Sequence, residues 1–422
     1  MTTDGIRRTR PAAAAALLAG VLVLTACSGS GEADSKGSDA GDRATSPAPA
    51  GRSAATDRSD ARITITPKDG TNDAGINNDV KVTVADGKLT KVAMTTAGTG
   101  TEVPGSLSAD GTTWKPDSRL QRATRYRITA EAEDGRGRTV LADATVGTVS
   151  PGSSFIGYFT PEDGSTVGVG MPVSINFDKA IANKADVQSG IRVTSSSGQS
   201  VVGHWFSATR LDFRPQTYWK PGSAVTVNLD LDDVEGAPGI KGVQDKTVRF
   251  TVGRSQVSTV DAVTKQMTVV RDGKTIKTIP ITTGSPGNET YNGQMVISEK
   301  FKETRLNGAT VGFKNKDGTP EYDIKDVPHA MRLSTSGTYI HGNYWAADSV
   351  FGSVNTSHGC VGLKDVKGAN DPGQPAAWFF DNSLIGDVVI VKNSKDRTIA
   401  ADNGLNGWNM PWKEWAAGSA TG

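Results

Sequence analysis

A cysteine and two histidines lie close together near the C-terminal end of the chain, and their types suit thiol chemistry. Cys360 is one of two cysteines, and His341 and His358 are two of four histidines. A thiol becomes a strong nucleophile when a neighbouring base takes its proton, because the thiolate is the attacking species. A cysteine alone is most often a small buried apolar residue. The combination in one short window instead favours thiol-dependent acyl transfer.

Two predicted strands position these side chains. The aromatic and β-branched residues before His341 are typical of a strand, so His341 is predicted at a strand end, before a loop. Gly359 allows a tight turn, and the apolar run after Cys360 predicts a second strand. Catalytic side chains are commonly presented by loops on a rigid sheet. We therefore expect His341 and Cys360 to meet at neighbouring strand ends.

Spacing alone does not decide which histidine is the base. In an extended segment His358 and Cys360 point to the same face, because they are two residues apart. His341, from the other strand, is the alternative. An oxyanion intermediate also needs preset hydrogen-bond donors. The backbone N–H groups of Gly359 and Cys360 are predicted to supply them.

The His-Gly pair at 341–342, followed by Ser-His-Gly-Cys at 357–360, resembles the signature of the L,D-transpeptidase catalytic domain of bacterial cell walls. The resemblance covers about residues 257–392. The tail 403–415 is similar to the C-terminal extension of actinobacterial members with two immunoglobulin-like domains. One departure is Gly362, because many members carry Arg or Asn two residues after the cysteine.

The resemblance implies a reaction and roles for the residues. Cys360 attacks a peptidoglycan stem peptide, releases D-Ala and passes the acyl group to an amine of a neighbouring stem, which gives a 3–3 cross-link. His341 is the base, oriented by the carbonyl of Gly342, and His358 shapes the pocket and polarises the thiol. Carbapenems are expected to acylate Cys360, and no cofactor is implied. The candidate substrate-contacting residues, of which Tyr322 is implied by the resemblance, are Tyr322, Tyr344, Trp345, Asn355 and Ser357.

Three other functions compete with this interpretation. A thiol L,D-carboxypeptidase would use the same acyl-enzyme with water as acceptor. A sortase-like enzyme is disfavoured because no Arg follows Cys360 closely, and an inactive wall-binding lipoprotein is disfavoured by the intact motif. No metal is expected, since the histidines lack the i, i+4 spacing of metalloproteases. A net charge of +1 gives no strong field for nucleic acid.

The N-terminal segment predicts export. Arginines precede an apolar run of 13 residues, 12–24, which is shorter than the about 20 residues that span a bilayer. The run ends in Leu-Thr-Ala-Cys, which resembles a lipobox and implies lipidation at Cys27. Cys360 would then be an unpaired thiol outside the cytoplasm, which catalysis would explain. We expect an extracytoplasmic protein, lipid-anchored to the outer face of the membrane and reaching into the wall.

The rest of the chain predicts a mainly β protein. Thr-Pro-x-Asp-Gly occurs at 66–70 and again at 160–164, in two copies of roughly 90 to 100 residues whose short alternating strands are typical of immunoglobulin-like sandwiches. Neither copy has a cysteine pair, and His204 is predicted to pack or to face solvent. The predicted divisions are a lipoprotein signal peptide 1–26, a flexible tether 27–61, sandwiches 62–150 and 151–254, a catalytic domain 255–394 and an extension 395–422.

Within the catalytic domain, residues 266–279 predict a β-hairpin with an Asp-Gly turn. Residues 299–331 are poorly patterned and predict a lid. Residues 370–382 predict a short helix, and 385–391 a buried closing strand. In the tail, Trp408, Trp412 and Trp415 are predicted to share one helical face and to brace the second sandwich against the catalytic domain.

Overall fold

The computed structural model describes residues 58–77 and 79–422. The predicted signal peptide, the predicted lipidation site Cys27 and most of the predicted tether lie outside the described residues. No helix in the described ranges is long and apolar enough to cross a membrane. Strands dominate these ranges, so the prediction of a mainly β protein is confirmed.

Residues 62–147 form a sandwich of two sheets, with strand orders β1-β2-β5-β4 and β3-β6-β7. Buried and exposed side chains alternate along β6, where Tyr126 and Ile128 enter the core beside Trp114 and Met94. The strands are β1 (Arg62–Thr66), β2 (Lys81–Ala85), β3 (Lys88–Thr96), β4 (Gly105–Leu107), β5 (Thr113–Pro116), β6 (Arg125–Glu133) and β7 (Thr139–Gly147). Apolar packing therefore holds this sandwich together without a disulfide.

Residues 154–252 form a second sandwich, with sheets β10-β18-β15-β12 and β13-β14-β11-β9 and a small sheet β16-β17-β8. Its elements are β8 (Ser154–Phe155), β9 (Gly157–Thr160), β10 (Thr166–Val167), β11 (Val173–Phe177), α1 (Lys184–Ser189), β12 (Ile191–Ser195), β13 (Val201–Trp205), β14 (Arg210–Pro215), β15 (Ala224–Asp230), β16 (Glu235–Ala237), β17 (Ile240–Gly242) and β18 (Asp245–Val252).

The predicted repeat has the same structure in both sandwiches. Asp69 accepts a hydrogen bond from the main-chain N–H of Thr145 at 2.7 Å, and Asp163 accepts one from Arg249 at 2.7 Å. Both aspartates follow a proline with a cis peptide bond. Each aspartate thus links the Thr-Pro-x-Asp-Gly segment near the start of its sandwich to the last long strand of that sandwich.

The catalytic region is built on one nine-stranded sheet of order β22-β27-β19-β20-β21-β26-β25-β24-β23. Its elements are β19 (Gln256–Asp261), β20 (Gln266–Arg271), β21 (Lys274–Thr282), β22 (Gly293–Val296), β23 (Glu299–Asn307), β24 (Asp323–Arg332), β25 (Tyr339–Asn343), β26 (Val361–Lys364), α2 (Pro375–Asp381) and β27 (Val388–Lys392), with 3₁₀ helices Gly308–Val311 and Asp348–Val350. The predicted hairpin is confirmed as β20 and β21. The predicted helix is confirmed as the shorter α2, and the closing strand as β27.

The predicted lid is more ordered than its pattern suggested. Residues 299–307 and 323–332 pair as a long antiparallel hairpin, and the connection 308–322 forms its tip. The pattern is weak because β23 is the edge strand of the sheet and most of its side chains are only partly buried or exposed. The expectation of an irregular insertion was therefore wrong, although the hairpin tip does lie at the site described below.

The single helical face predicted for the tail tryptophans is also wrong. Trp408 belongs to a 3₁₀ helix (Gly407–Asn409), and the other two belong to α3 (Trp412–Ala417). Met410 and Pro411 between them are extended. The physical reason is that a residue before proline is disfavoured in the α conformation.

The bracing predicted for the tail is nevertheless confirmed by its contacts. On the sandwich side, Trp415 donates to the carbonyl of Val202 at 2.9 Å and stacks on His204 at 5.0 Å. On the catalytic side, Asn406 accepts from the N–H of Val296 at 2.9 Å. His204 is thus a packed residue. The core of the second sandwich continues into the catalytic sheet through Val296, Val388 and Trp408.

The guanidinium of Arg214 joins the three tail tryptophans. Its central carbon lies 4.3 Å from the ring centroid of Trp415, 4.8 Å from that of Trp408 and 5.3 Å from that of Trp412. Its Nη2 also donates to the carbonyl of Met410 at 2.9 Å. The second sandwich therefore holds the tail through one cation–aromatic cluster.

Trp415→Ala is expected to lower the free energy of unfolding by about 3–5 kcal/mol, because Trp415 is fully buried and truncation leaves a cavity. Trp412→Ala is the matched control, since Trp412 is only half-buried and the same substitution should cost less than about 1 kcal/mol. Denaturant unfolding followed by tryptophan fluorescence would measure both. Equal effects of the two substitutions would contradict the assignment of the brace to Trp415.

Candidate active site

Neighbouring parallel strands bring His341 and Cys360 together. β25 and β26 pair in parallel, with His341 opposite Gly362, and Cys360 immediately precedes β26. Side chains two residues apart on a strand share a face, so Cys360 lies on the face of Gly362 and beside His341. His341 lies within β25 rather than at its end, one small difference from the sequence-based expectation.

Both side chains line one cavity of about 160 Å³. The wall contains apolar residues from the hairpin of residues 299–332, which we call the lid hairpin. It also contains polar residues from β25 and residues of the turn that precedes Cys360. The lining residues are Leu306, Tyr322, Ile324, His341, Asn343, Trp345, Thr356, Ser357, His358, Cys360 and Gly362. A predominantly apolar cavity with a few convergent polar groups is the usual form of a small-ligand site.

The thiol of Cys360 is held in its protonated form. Only 8% of the residue is exposed, and Sγ lies 3.6 Å from the carbonyl oxygen of Gly337, to which it donates. Burial raises the pKa of Cys360 to about 11, and a hydrogen bond from the main chain of Tyr339 opposes that rise. The thiolate is therefore scarce near neutral pH, and the reaction needs a base that takes the proton as the thiol attacks.

His341 is placed to be that base. Its Nδ1 donates to the carbonyl of Gly342 at 2.8 Å, so Nε2 carries the free lone pair. Burial lowers the pKa of His341, although the bond to the Gly342 carbonyl raises it slightly. The indole of Trp345 stacks on the imidazole at 5.7 Å between ring centroids. His341 is thus a neutral imidazole in a fixed orientation.

Asp365 packs against Gly342, whose carbonyl orients His341, and is hydrogen-bonded to the buried His329. A Cβ on Gly342 would lie 2.1 Å from Oδ2 of Asp365, so only glycine fits there. The same Oδ2 lies 2.7 Å from Nδ1 of His329. Sequence reasoning missed Asp365, because nothing in the sequence pairs it with Gly342, 23 positions earlier.

His358 faces the tip of the lid hairpin. Its Nε2 lies 3.5 Å from Oε2 of Glu321, and its ring packs on Tyr322 and Phe313 at 4.9 and 5.4 Å. Its side chain is 37% exposed, whereas His341 is buried. These contacts fit the predicted role of His358 in shaping the pocket and make it a weaker candidate for the base.

Tyr322 closes the cavity from the lid. Burial raises the pKa of Tyr322 to about 12, and the nearby Cys360 adds to the rise. The phenol is therefore protonated at neutral pH and can donate a hydrogen bond. Its place at the cavity agrees with the prediction of a lid residue over the site.

The turn before Cys360 is braced by its own side chain. Ser357 Oγ donates to the carbonyl of Cys360 at 2.6 Å and accepts from the N–H of Gly359 at 3.2 Å. Gly359 has φ +109°, which favours glycine. Ser357 lines the cavity and its hydroxyl holds the turn, which gives it a positioning role; its contact with substrate stays a prediction. The Gly359 N–H, predicted as an oxyanion donor, is used in the same turn.

Two predicted substrate residues lie outside the cavity lining. Asn355 donates to the carbonyl of Ala262 at 2.9 Å and accepts from the N–H of Thr283 at 3.2 Å, which uses both ends of its amide. The hydroxyl of Tyr344 donates to Asp326 at 2.6 Å. Their polar atoms are bound to partners distant in sequence, and contact of either residue with substrate stays a prediction.

Four lining residues were missed: Leu306, Ile324, Asn343 and Thr356. Leu306 and Ile324 lie on the two strands of the lid hairpin, and the sequence pattern did not predict that hairpin. Asn343 could have been found, because it is two residues after His341 and shares its face on β25. Across residues 58–77 and 79–422 no cluster of three or more acidic, histidine or cysteine residues could hold a metal ion.

Two parts of the chain match known protein families. Residues 255–391 match the L,D-transpeptidase catalytic domain, and residues 71–235 match a bacterial Ig domain. L,D-transpeptidase 2 of Mycobacterium tuberculosis (strain CDC 1551 / Oshkosh) is 33% identical over 359 residues, which is 85% of this chain and 85% of that protein. L,D-transpeptidase 5 of M. tuberculosis (strain ATCC 25618 / H37Rv) is 28% identical over 85% of this chain and 77% of that protein.

Among solved structures, an L,D-transpeptidase in complex with imipenem is 26% identical, covers 56% of this chain and 97% of that chain, and has a TM-score of 0.46. A β-rich thiol acyltransferase with appended sandwiches is the class that the fold and the site define. With 33% identity over most of both chains, this chain belongs to the L,D-transpeptidase family.

Proposed function

We propose that this protein cross-links peptidoglycan by acyl transfer through Cys360, from a tetrapeptide stem donor to the amine of a neighbouring stem. One observation carries the proposal. Cys360 and His341 line a single cavity on adjacent parallel strands, and the Nδ1–H of His341 is bound to the Gly342 carbonyl. That arrangement leaves Nε2 available as the base.

In the first half-reaction, Sγ of Cys360 attacks the carbonyl carbon between the L-centre and the terminal D-Ala. Nε2 of His341 takes the thiol proton as the C–S bond forms. The tetrahedral oxyanion is stabilised by hydrogen bonds, for which the Cys360 N–H and the hydroxyl of Tyr322 are the candidates. The C–N bond then breaks, His341 returns the proton to the leaving amine, and D-Ala departs from a thioester.

In the second half-reaction, an amine of an acceptor stem attacks the thioester carbonyl. His341 takes the amine proton, the C–S bond breaks and the thiol is restored with that proton. The new amide joins the two stems as a 3–3 cross-link. Water in place of the amine would give hydrolysis and make the enzyme a carboxypeptidase.

Burial of the thiol suits this sequence of steps. A thiol with a pKa of about 11 beside a neutral imidazole has a small thiolate fraction at neutral pH and reacts slowly at rest. Proton transfer is driven only when a bound carbonyl accepts the sulfur, which protects an unpaired cysteine outside the cytoplasm from oxidation. The lid hairpin and Trp345 then orient the donor stem over Cys360.

The reaction is extracytoplasmic, because peptidoglycan lies outside the cytoplasmic membrane. We further propose that Cys27 is lipidated and holds the protein on the outer face of that membrane. The support is the Leu-Thr-Ala-Cys pattern after an apolar run. The segment between Cys27 and the first sandwich would then act as a tether that lets the catalytic domain reach the wall.

Incubating the protein with a purified tetrapeptide muropeptide and analysing the products by mass spectrometry tests the function. A cross-linked dimer with equimolar D-Ala is the expected result. Tripeptide with D-Ala but no dimer would replace the transpeptidase with a carboxypeptidase. No product, with a thiol that still titrates, would favour the scaffold function instead.

A further inference from the structure

The position two residues after the nucleophile has no side chain in this protein, although it lines the cavity. Gly362 pairs with Thr282 of β21 on one side and with His341 of β25 on the other. A Cβ on Gly362 would lie 2.8 Å from Cγ2 of Thr282. Thr282 is fully buried, and its hydroxyl donates to the carbonyl of Val354 at 2.8 Å. The threonine cannot move aside cheaply, so the sheet here requires glycine.

Asn343 borders the space that this glycine leaves open. Its Nδ2 lies 3.5 Å and its Cβ 3.6 Å from the position a Cβ on Gly362 would take. Asn343 follows His341 by two residues on β25 and therefore faces the same cavity. An amide is thus already present where a longer side chain at position 362 would reach.

The orientation of this amide is determined by its own loop. Oδ1 of Asn343 accepts from the N–H groups of Trp345 at 3.2 Å and Ala346 at 3.0 Å. Because a main-chain N–H can only donate, the oxygen must face the loop and the NH₂ group must face the other way. Among the described residues Nδ2 has no hydrogen-bond partner, although Asn343 is only 5% exposed. Nδ2 is not one of the fully buried partnerless side-chain atoms, which among the described residues are Nε of Arg214 and Nε of Arg332, so it is open to the cavity and available to a ligand.

We propose that Asn343 is a substrate-binding residue whose Nδ2 donates a hydrogen bond to an acceptor oxygen of the donor stem peptide, in place of a side chain at position 362. This role rests on the acyl transfer proposed above. The partner is either a peptide carbonyl or the terminal carboxylate of the donor, both of which are oxygen acceptors. Asn343 thereby positions the stem beside Cys360 and His341.

Asn343→Ser is the main test. A serine hydroxyl can still accept the loop N–H groups but does not reach the cavity with a donor. We expect kcat/KM for the tetrapeptide donor to fall about tenfold, the size of one lost hydrogen bond. Alkylation of Cys360 by iodoacetamide should stay within about twofold of wild type, because that probe is too small to need the amide. Asn370→Ser, at an exposed position, is the matched control.

A further variant tests whether an amide at position 362 can replace the amide of Asn343. Thr282→Ser removes the methyl group that blocks position 362 and keeps the hydroxyl. Adding Thr282→Ser and Gly362→Asn to Asn343→Ser is therefore expected to recover most of the kcat/KM that Asn343→Ser loses. The reference is the protein with Thr282→Ser and Gly362→Asn in which Asn343 is intact. Absence of recovery against that background would overturn the proposed equivalence of the two positions.

A donor with its terminal carboxylate converted to an amide distinguishes the two acceptors. A smaller effect of Asn343→Ser on that donor assigns the bond to the carboxylate, and an unchanged effect assigns it to a peptide carbonyl. If the wild-type protein turns over the donor and kcat/KM of Asn343→Ser lies within twofold of the wild-type value, the role of Asn343 is overturned. The proposed acyl transfer is then unaffected. A parallel loss of alkylation and turnover would reduce Asn343 to a structural residue. No wild-type product would overturn the acyl transfer itself and this role with it.

Discussion

Cys360→Ala is expected to abolish cross-linking, D-Ala release and covalent capture of a carbapenem. Cys360 supplies the only thiol in the cavity lining that the structure describes, and a hydroxyl is a much weaker nucleophile at neutral pH. The hydroxyl of Ser357, the nearest in sequence, is already bound to the carbonyl of Cys360 at 2.6 Å. A β-lactam carbonyl is a strained acyl group, so wild-type Cys360 should open it and keep the acyl adduct as a thioester.

Intact-mass spectrometry after incubation with a carbapenem measures this effect in residues 58–422, where Cys360 is the single cysteine. Wild type should gain the mass of one carbapenem and Cys360→Ala should gain none. The variant should keep the wild-type unfolding midpoint, because alanine fits where cysteine was. An adduct on Cys360→Ala would place the nucleophile elsewhere and contradict the assignment.

The proximity of the proposed nucleophile and the proposed base was predictable because short local sequence segments place each of them. His341 and Cys360 each lie next to a glycine and an apolar strand, and the structure places both strands side by side. The Asp-Gly turn of the first catalytic hairpin was predictable for a similar reason, since Asp272 and Gly273 both have positive φ and that dipeptide tolerates it.

Substrate contacts are harder to predict from sequence than a nucleophile, because a polar side chain can be bound by a partner distant in sequence. Asn355 reaches Ala262, 93 residues away, and Tyr344 reaches Asp326 on another strand. Asn343 is the reverse case, because local bonds hold its oxygen and leave its nitrogen facing the cavity. Sequence shows which atoms can donate, whereas only the fold shows which donors remain unused.

The second sandwich shares core residues with the sheet that carries the candidate site. β27 and β22 contribute Val388 and Val296 to the core of the second sandwich, and the same strands belong to the catalytic sheet. In the tail, Asn406 accepts a hydrogen bond from the N–H of Val296 and donates one to the carbonyl of Leu333. The second sandwich is therefore a structural part of the catalytic unit, and we expect changes at Trp415 to lower stability before they alter chemistry.

His341→Gln is expected to lower kcat/KM by about 10²–10⁴-fold, the usual contribution of a general base. Glutamine can keep a hydrogen bond to the Gly342 carbonyl but cannot take the thiol proton. His358→Gln is the matched variant, and its loss should stay within about tenfold because His358 contacts the lid and is partly exposed. A larger loss in His358→Gln than in His341→Gln would reverse the assignment of the base.

The pH profile gives a second test of the same base. Burial lowers the pKa of His341 below 6.5, so its imidazole stays unprotonated, and therefore basic, until the pH falls below that value. The acid limb of kcat/KM should thus have its midpoint below pH 6.5. Because the pKa of Cys360 is raised to about 11, the reactive thiol persists and the profile should be flat from neutral pH to about pH 9. An acid limb above pH 7 would indicate a charged imidazole at rest, paired with a thiolate, and would contradict the neutral pair that the buried cavity favours.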